Sequence, residues 1–274
     1  MSIFSPRSLT EALQLVNEHP AARLLAGGTD TMVEINFRHF EPGDIISLRH
    51  VQELQAFETL NTSYRVGASI PYKEFENGAY AHISLALSEA ARTVGSPQIR
   101  ATGTIGGNLG TCSPAGDTLP VLSALDAQIE LASVEGVRVL SIHDFMLGVK
   151  RNARVSNEII TAIHIPKVNG FQGYAKVGVR NAMVISVASA CVVFHEEELR
   201  IALGSVGPTI IRCTDTENWY HALVAKKSEG VSKELGERAS QESRPIDDHR
   251  STADYRRHAI KILAQRLFER GISQ

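Results

Sequence analysis

The feature that most constrains this chain is a run of small residues at positions 103–117. Gly103, Gly106, Gly107 and Gly110 fall within eight residues there, with Thr104, Thr111 and Ser113 among them. Glycine reaches positive φ and leaves no Cβ between the backbone and a ligand. Successive amides bent into such a loop form a concave nest that suits an anion such as phosphate. Asp117 closes the run with a carboxylate able to accept hydrogen bonds from sugar hydroxyls. A tight turn or bulge between strands is the purely structural alternative. A second stretch, Leu24-Leu25-Ala26-Gly27-Gly28-Thr29-Asp30-Thr31, reads as a short apolar strand entering another small-residue turn. Alone it is a strand-to-helix connection. Together, two glycine loops that each end in an acidic residue point to two walls around one phosphate-rich ligand.

Several other chemistries are excluded. The chain contains no Gly-x-Gly-x-x-Gly, Walker lysine loop or His-Glu-x-x-His. A Gly-x-Ser-x-Gly elbow is also missing. A dinucleotide, if bound, is therefore held by a geometry other than the Rossmann one. Cys112, Cys191 and Cys213 are far apart, with no Cys-x-x-Cys pair, which argues against an iron–sulfur cluster or structural zinc held within this chain. Cys191, in an apolar run, reads as a core residue, whereas Cys112 lies inside the glycine loop. A net charge of −2 leaves no basic footprint for nucleic acid. No apolar run is long enough to span a bilayer, and residues 1–7 lack the pattern of a secretory signal, so the expected location is cytoplasmic.

Along the chain, residues 5–18 read as a helix, with Ser8 as cap, Glu11 three residues on, and Leu9, Ala12, Leu13 and Val16 as its apolar stripe. Strands are expected over 23–26 and 44–48, with a short helix over 31–37 between them, giving a small βαβ unit. A second sheet starts over 62–67, and Pro71 opens a helix. Residues 85–93 have helical spacing, stopped by Gly95. After the second glycine loop, 118–125 is an apolar helix; capped by Asp117 or Thr118, it would aim its first amides at the same anion. Residues 128–132 and 136–141 form a hairpin, and 157–166 is an alternating strand. A linker at 167–170 leads to three strand-like runs, 171–179, 184–195 and 199–206. Glu196-Glu197-Glu198 reads as a solvated turn. Helices follow over 216–225 and 252–271, the latter with Ile260, Ile262, Leu263, Leu267 and Phe268 as its apolar set. Residues 226–242 contain few apolar side chains and read as an exposed helix with loose loops.

Ala26-Gly27-Gly28-Thr29-Asp30 and Thr104-Ile105-Gly106-Gly107-Asn108, the latter preceded by Gly95-Ser96-Pro97-Gln98-Ile99-Arg100, closely resemble the FAD-binding subunit of molybdenum hydroxylases. That family includes the flavoproteins of xanthine and carbon monoxide dehydrogenases. The resemblance covers nearly the whole chain, continuing through 176–180, 201–209 and 248–257. It implies an α+β fold with a FAD-binding domain of the vanillyl-alcohol-oxidase (PCMH) type over 1–168, in subdomains of about 1–55 and 56–168. A carbon monoxide dehydrogenase flavoprotein C-terminal-like domain over 171–274 would follow, with a three-stranded antiparallel sheet and helices.

Carried over by residue, Leu24, Leu25, Ala26, Gly27, Gly28, Thr29, Asp30 and Thr31 form the first wall of the FAD cleft, with Gly27 and Gly28 bringing amides to the diphosphate. Thr104, Ile105, Gly106, Gly107 and Asn108 form the second wall, and Thr111 adds a hydroxyl. Asp117 matches an acidic position at the ribose or ribityl chain, Ile160 an apolar position near a ring, and Lys176 a basic residue at the flavin's pyrimidine edge. Core packing for Ile160, and a solvated pair for Lys176 and Arg180, are the plain alternatives. Asp248, Arg250, Tyr255 and Arg256 match a motif read as a carboxylate–guanidinium network, with partner contact as the alternative. No histidine stands where a covalent flavin link is expected, so FAD is non-covalent.

The implied role is electron relay, with no substrate-oxidising residue in this chain. Electrons pass from 2Fe–2S clusters on a small partner subunit through FAD to NAD⁺, a quinone or oxygen, while a large molybdenum-cofactor subunit hydroxylates the substrate. The implied assembly is a dimer of heterotrimers. A free-standing FAD-dependent oxidoreductase and a flavin-free scaffold are the competing readings.

Overall fold

The computed structural model describes residues 1–37, 43–223 and 230–273. At the amino end lie β1 (Ile3–Phe4), α1 (Leu9–Glu18), β2 (Arg23–Leu25), α2 (Thr31–Asn36) and β3 (Ile45–Ser47). The strands run parallel in the order β1-β3-β2, and β2-α2-β3 is the expected βαβ unit. Ser8 Oγ accepts from the Glu11 amide at 3.2 Å. Helix α1 therefore begins at Leu9, where the cap satisfies a first-turn amide, and not at residue 5. It buries Ala12 and Val16 against a core that contains Ile46, Leu48 and Val51.

The next block contains β4 (Phe57–Thr59), β5 (Ser63–Gly67), α3 (Tyr72–Glu76), α4 (Leu85–Thr93), α5 (Pro97–Thr102), α6 (Ile105–Thr111) and α7 (Thr118–Ala124). It continues with β6 (Gln128–Ser133), β7 (Gly136–Ser141), α8 (Ile142–Phe145), β8 (Met146–Gly148), β9 (Arg151–Asn152) and β10 (Ile159–Pro166). Five strands form an antiparallel sheet in the order β4-β5-β10-β6-β7, while β8 and β9 pair as a separate hairpin. The expected 128–141 hairpin is present, with Ser133 paired to Gly136. The second glycine stretch differs from expectation: most of it is helix α6, and no open loop of bent amides forms. Thr104 caps α6 through its hydroxyl, 2.9 Å from the Gly107 amide. That bond offsets the poor helix propensity of three glycines in one turn and a half.

The carboxyl block holds β11 (Gln172–Val177), β12 (Ala188–His195), β13 (Glu198–Gly204), β14 (Ile211–Arg212), α9 (Thr214–His221), α10 (Val231–Glu242) and α11 (Ala253–Ile272). The sheet is antiparallel and has four strands in chain order, because the two-residue β14 adds to the three expected. The expected stretches 216–225 and 226–242 fall partly on residues 224–229, outside the described residues. The rest of the second one is not an exposed helix. In α10, Val231, Leu235, Gly236 and Ala239 are buried. A Cβ on Gly236 would sit 2.4 Å from the Lys261 carbonyl oxygen. Small residues let α10 and α11 approach closely, so this interface needs little apolar bulk.

Helix α7 is buried at all seven positions, as a helix apolar all round should be. Its Leu119 and Leu122 share one core with Val66 and Ile163 of the five-stranded sheet and with Tyr174, Cys191 and Ala202 of the carboxyl block. That core crosses the expected 168–171 boundary: α7 packs on β12 and β13, and β11 packs on α4. Arg256, only 3 % exposed, ties the carboxyl block together by donating to the carbonyls of Val187 (2.7 Å) and Ser205 (2.9 Å) and to Asp248 Oδ1 (2.7 Å). Asp248 and Arg256 thus form the expected carboxylate–guanidinium pair. Arg250 joins only through its amide, 2.8 Å from Asp248 Oδ1, and Tyr255 is half-exposed.

Candidate cofactor-binding site

The two glycine stretches are in backbone contact. A Cβ on Gly27 would lie 1.9 Å from the Thr102 carbonyl oxygen and 2.9 Å from the Gly103 Cα. A Cβ on Gly103 would meet the Thr29 hydroxyl at 3.2 Å, and one on Gly107 would approach the Ala26 Cβ at 3.7 Å. At Gly27 only glycine permits this closeness. A cavity of about 810 Å³ opens along the seam, within the range of small-molecule and cofactor sites. It is lined by Leu24, Ala26, Gly27, Gly28, Thr29, Asp30 and Thr31 from one side and by Thr104, Gly106, Gly107, Asn108, Thr111, Asp117 and Ile160 from the other. Leu25, Ile105 and Lys176 do not line it.

The two walls differ in what their amides offer. In α6 the Ile105 amide donates to the Ile70 carbonyl (3.2 Å), the Gly106 amide to the Ala68 carbonyl (2.9 Å), and the Gly107 amide to the Thr104 hydroxyl. Gly106 is also where a Cβ would strike Ala68, at 2.5 Å, so its role here is close packing of a helix on a strand end. On the first wall, among the described residues, the amides of Gly27, Gly28, Thr29 and Asp30 have no protein acceptor within hydrogen-bonding reach. Gly28 sits at φ +75°, the left-handed conformation that turns the chain from β2 into α2. The Gly27–Asp30 turn therefore offers the cavity a run of free amide donors.

Asp117 occupies the cap position of α7 but makes no capping bond, contrary to the capping expectation. Its carboxylate turns to β11 instead, where Oδ2 takes the Lys176 ammonium at 2.6 Å and Oδ1 the Tyr174 hydroxyl at 2.9 Å. Lys176 Nζ also donates to the carbonyls of Thr93 (2.9 Å) and Val184 (3.1 Å), which uses all three of its protons. Burial pushes the Asp117 carboxyl above its ordinary range, opposed first by the Lys176 charge and then by the Tyr174 hydroxyl. Lys176 is neither a solvated surface residue nor a lining one; it stands one layer behind Asp117.

Sequence reasoning missed the basic rim. The β8–β9 turn carries Lys150, whose Nζ reaches Glu34 of α2 at 2.9 Å, while Arg23 of β2 reaches the same carboxylate at 2.8 Å. Arg23, Glu34 and Lys150 all line the cavity, where Thr111 donates to Asp30 Oδ2 at 3.4 Å. The turn is anchored by the Lys150 amide on the Cys112 carbonyl (3.1 Å) and by Asn152 Nδ2 on the Gly110 carbonyl (2.9 Å). No spacing rule connects Lys150 to Glu34, because the pairing is purely tertiary. Tyr72, Val94, Arg154, Met183, Val184 and Ile185 also line the cavity. Cys112 is buried and its thiol is pushed up to about 11 by burial, so it is no nucleophile. Among the described residues no group of His, Cys, Asp and Glu is arranged to hold a metal ion.

Residues 1–168 match the family described as the FAD binding domain in molybdopterin dehydrogenase. Residues 174–270 match the CO dehydrogenase flavoprotein C-terminal domain. The chain belongs to the FAD-binding subunit family of molybdopterin dehydrogenases. Among curated relatives of this flavoprotein chain, the glyceraldehyde dehydrogenase medium chain of Sulfolobus acidocaldarius is 29 % identical over 96 % of this chain and 95 % of its own. The caffeine dehydrogenase subunit beta of a Pseudomonas species is 33 % identical over 78 % and 76 %. The fold is shared with quinoline 2-oxidoreductase from Pseudomonas putida 86, at a TM-score of 0.93 and 23 % identity, covering 100 % of this chain and 97 % of that one. It is also shared with carbon monoxide dehydrogenase from Hydrogenophaga pseudoflava, at a TM-score of 0.91 and 24 % identity, covering 100 % and 97 %.

FAD is thus the cofactor of this family, and the cavity fits it. The fit rests on the unpartnered Gly27–Asp30 amides, on a seam where a Cβ on Gly27 would strike the opposite backbone, and on the Asp117 carboxylate in the lining.

Proposed function

We propose that this chain is the electron-transfer flavoprotein subunit of a molybdenum hydroxylase complex, and that FAD lies along the seam between its two glycine walls. The observation that carries this reading is the cluster of unpartnered amides at Gly27, Gly28, Thr29 and Asp30, which suit the oxygens of a diphosphate. Thr104, Gly107, Asn108 and Thr111 bound the far side and exclude water from it. Asp117 accepts from cofactor hydroxyls, and Ile160 supplies an apolar surface. Lys176 acts through Asp117, one layer away from the cavity. Bound FAD supplies the redox chemistry, taking electrons singly or in pairs. The protein contributes position and electrostatics.

The electron donor in this reading is a 2Fe–2S subunit and the hydroxylating centre a large molybdenum-cofactor subunit, since this chain carries no cysteine pattern for a cluster. NAD⁺, a quinone or oxygen accepts the electrons, and the complex is a cytoplasmic dimer of heterotrimers. No helix among the described residues is long and apolar enough to cross a membrane. The purified chain is expected to bind one FAD, released on denaturation, and to reduce an acceptor only after addition of the cluster and molybdenum subunits. A chain that binds no flavin, or one that oxidises an organic substrate alone, overturns the reading.

A further inference from the structure

We infer that Tyr174 is a positioning residue of the cofactor site, orienting the Asp117 carboxylate toward the cavity. The inference rests on the FAD reading above and extends it to a residue outside the cavity lining.

Strand β11 places Tyr174 and Lys176 two positions apart, hence on the same face of the pleat. Both reach Asp117, one to each oxygen, at 2.9 and 2.6 Å. Tyr174 is 4 % exposed and Asp117 8 %. A buried carboxylate is costly unless its lone pairs are used, and here two side chains of one strand use them from behind. Each oxygen keeps acceptor capacity on the side facing the cavity, which Asp117 lines.

The pair is also braced. The Tyr174 amide donates to Glu89 Oε2 of α4 at 2.8 Å, and Arg270 of α11 clamps the other oxygen of that carboxylate. Lys176 is fixed by the Thr93 and Val184 carbonyls. Asp117 therefore cannot swing back to cap α7. Burial and the neighbouring carboxylate raise the Tyr174 hydroxyl well above its ordinary range, so it remains a donor throughout the accessible pH range. The charged and titratable groups that act on Asp117 are Tyr174 and Lys176 of β11, with Tyr72 of α3 near enough to feel its charge.

The test compares Tyr174→Phe, Asp117→Asn and the double variant, each as the full chain. The dissociation constant for FAD is read by flavin fluorescence quenching across acid to neutral pH, and folding by circular dichroism. Tyr174→Phe is expected to stay folded and to bind FAD about tenfold more weakly at neutral pH, the scale of one hydrogen bond to a charged group. Its acid limb should move to higher pH, because losing the hydroxyl donor raises the Asp117 carboxyl. Asp117→Asn should lack that limb, and the double variant should bind no more weakly than Asp117→Asn alone. Unchanged affinity and an unmoved limb in Tyr174→Phe, or additive losses in the double variant, overturn the inference. Absence of FAD binding by the unaltered chain instead overturns the function reading, and this inference with it.

Discussion

Replacing Gly27 with alanine tests the contact on which the cavity depends. The new Cβ would lie 1.9 Å from the Thr102 carbonyl oxygen, 2.6 Å from its carbon and 2.9 Å from the Gly103 Cα. All three are backbone atoms, so no side chain can rotate away. The walls must part by about 1.5 Å, from 1.9 Å to the 3.4 Å at which ordinary van der Waals contact begins. Overpacking of this kind costs about 1–3 kcal/mol of stability. The same displacement separates the Gly27–Asp30 amides from the far wall, and a misplacement of about 1 Å at a binding site can cost about a hundredfold. Gly28→Ala is the control: its Cβ would meet nothing closer than 3.6 Å, and only the φ of +75° penalises it, by about 1 kcal/mol. Urea denaturation and FAD titration of both variants check the argument. Gly27→Ala should lose FAD by far more than Gly28→Ala. Equal FAD affinity in Gly27→Ala and the unaltered chain would refute the contact.

Four further outcomes are expected. Thr104→Val removes the cap of α6 and leaves the Gly107 amide unpaired, at a cost of about 1 kcal/mol in urea denaturation. Arg256→Met takes the guanidinium donor from the Val187 and Ser205 carbonyls and from Asp248; a loss of about 1–3 kcal/mol should appear as a lower urea midpoint. Glu130 is held down to about 2 despite burial by the Arg65 guanidinium, Thr161 and His164. Its stabilisation is therefore present above its ordinary value of 4.5 and is lost as pH falls from there toward 2, and Glu130→Gln should flatten that part of an acid-denaturation curve. Gly107→Val should stay folded yet lose FAD, since Gly107 lines the cavity and its Cβ would already stand 3.1 Å from the Thr104 hydroxyl and 3.7 Å from the Ala26 Cβ.

Much of the fold was legible because it follows local rules. Ser8 and Glu11 marked the start of α1, the apolar stripe of α4 matched its observed span, and the runs 128–132 and 136–141 paired as the β6–β7 hairpin. The second glycine stretch was misread locally, since four glycines within eight residues favour a loop over a helix. The structure makes it one through the Thr104 cap and by packing Gly106 on Ala68. Residues 231–242 were misread for a similar reason: low apolar content resembles exposure until Gly236 is seen against Lys261. The sequence named the residues on both sides of the cavity, but not which amides are free, because that depends on acceptors at Ile70 and Ala68 more than thirty positions away.

By itself, the order of residues determined the two glycine walls, the βαβ start, the antiparallel hairpin and the family, since spacing and motif are properties of the chain alone. Tertiary structure decided that Asp117 serves β11 and leaves α7 uncapped, and that Lys176 stands behind it. The physical reason is the same in each case. A buried charge takes whichever partner the packed core brings within about 3 Å, and no local pattern encodes that choice.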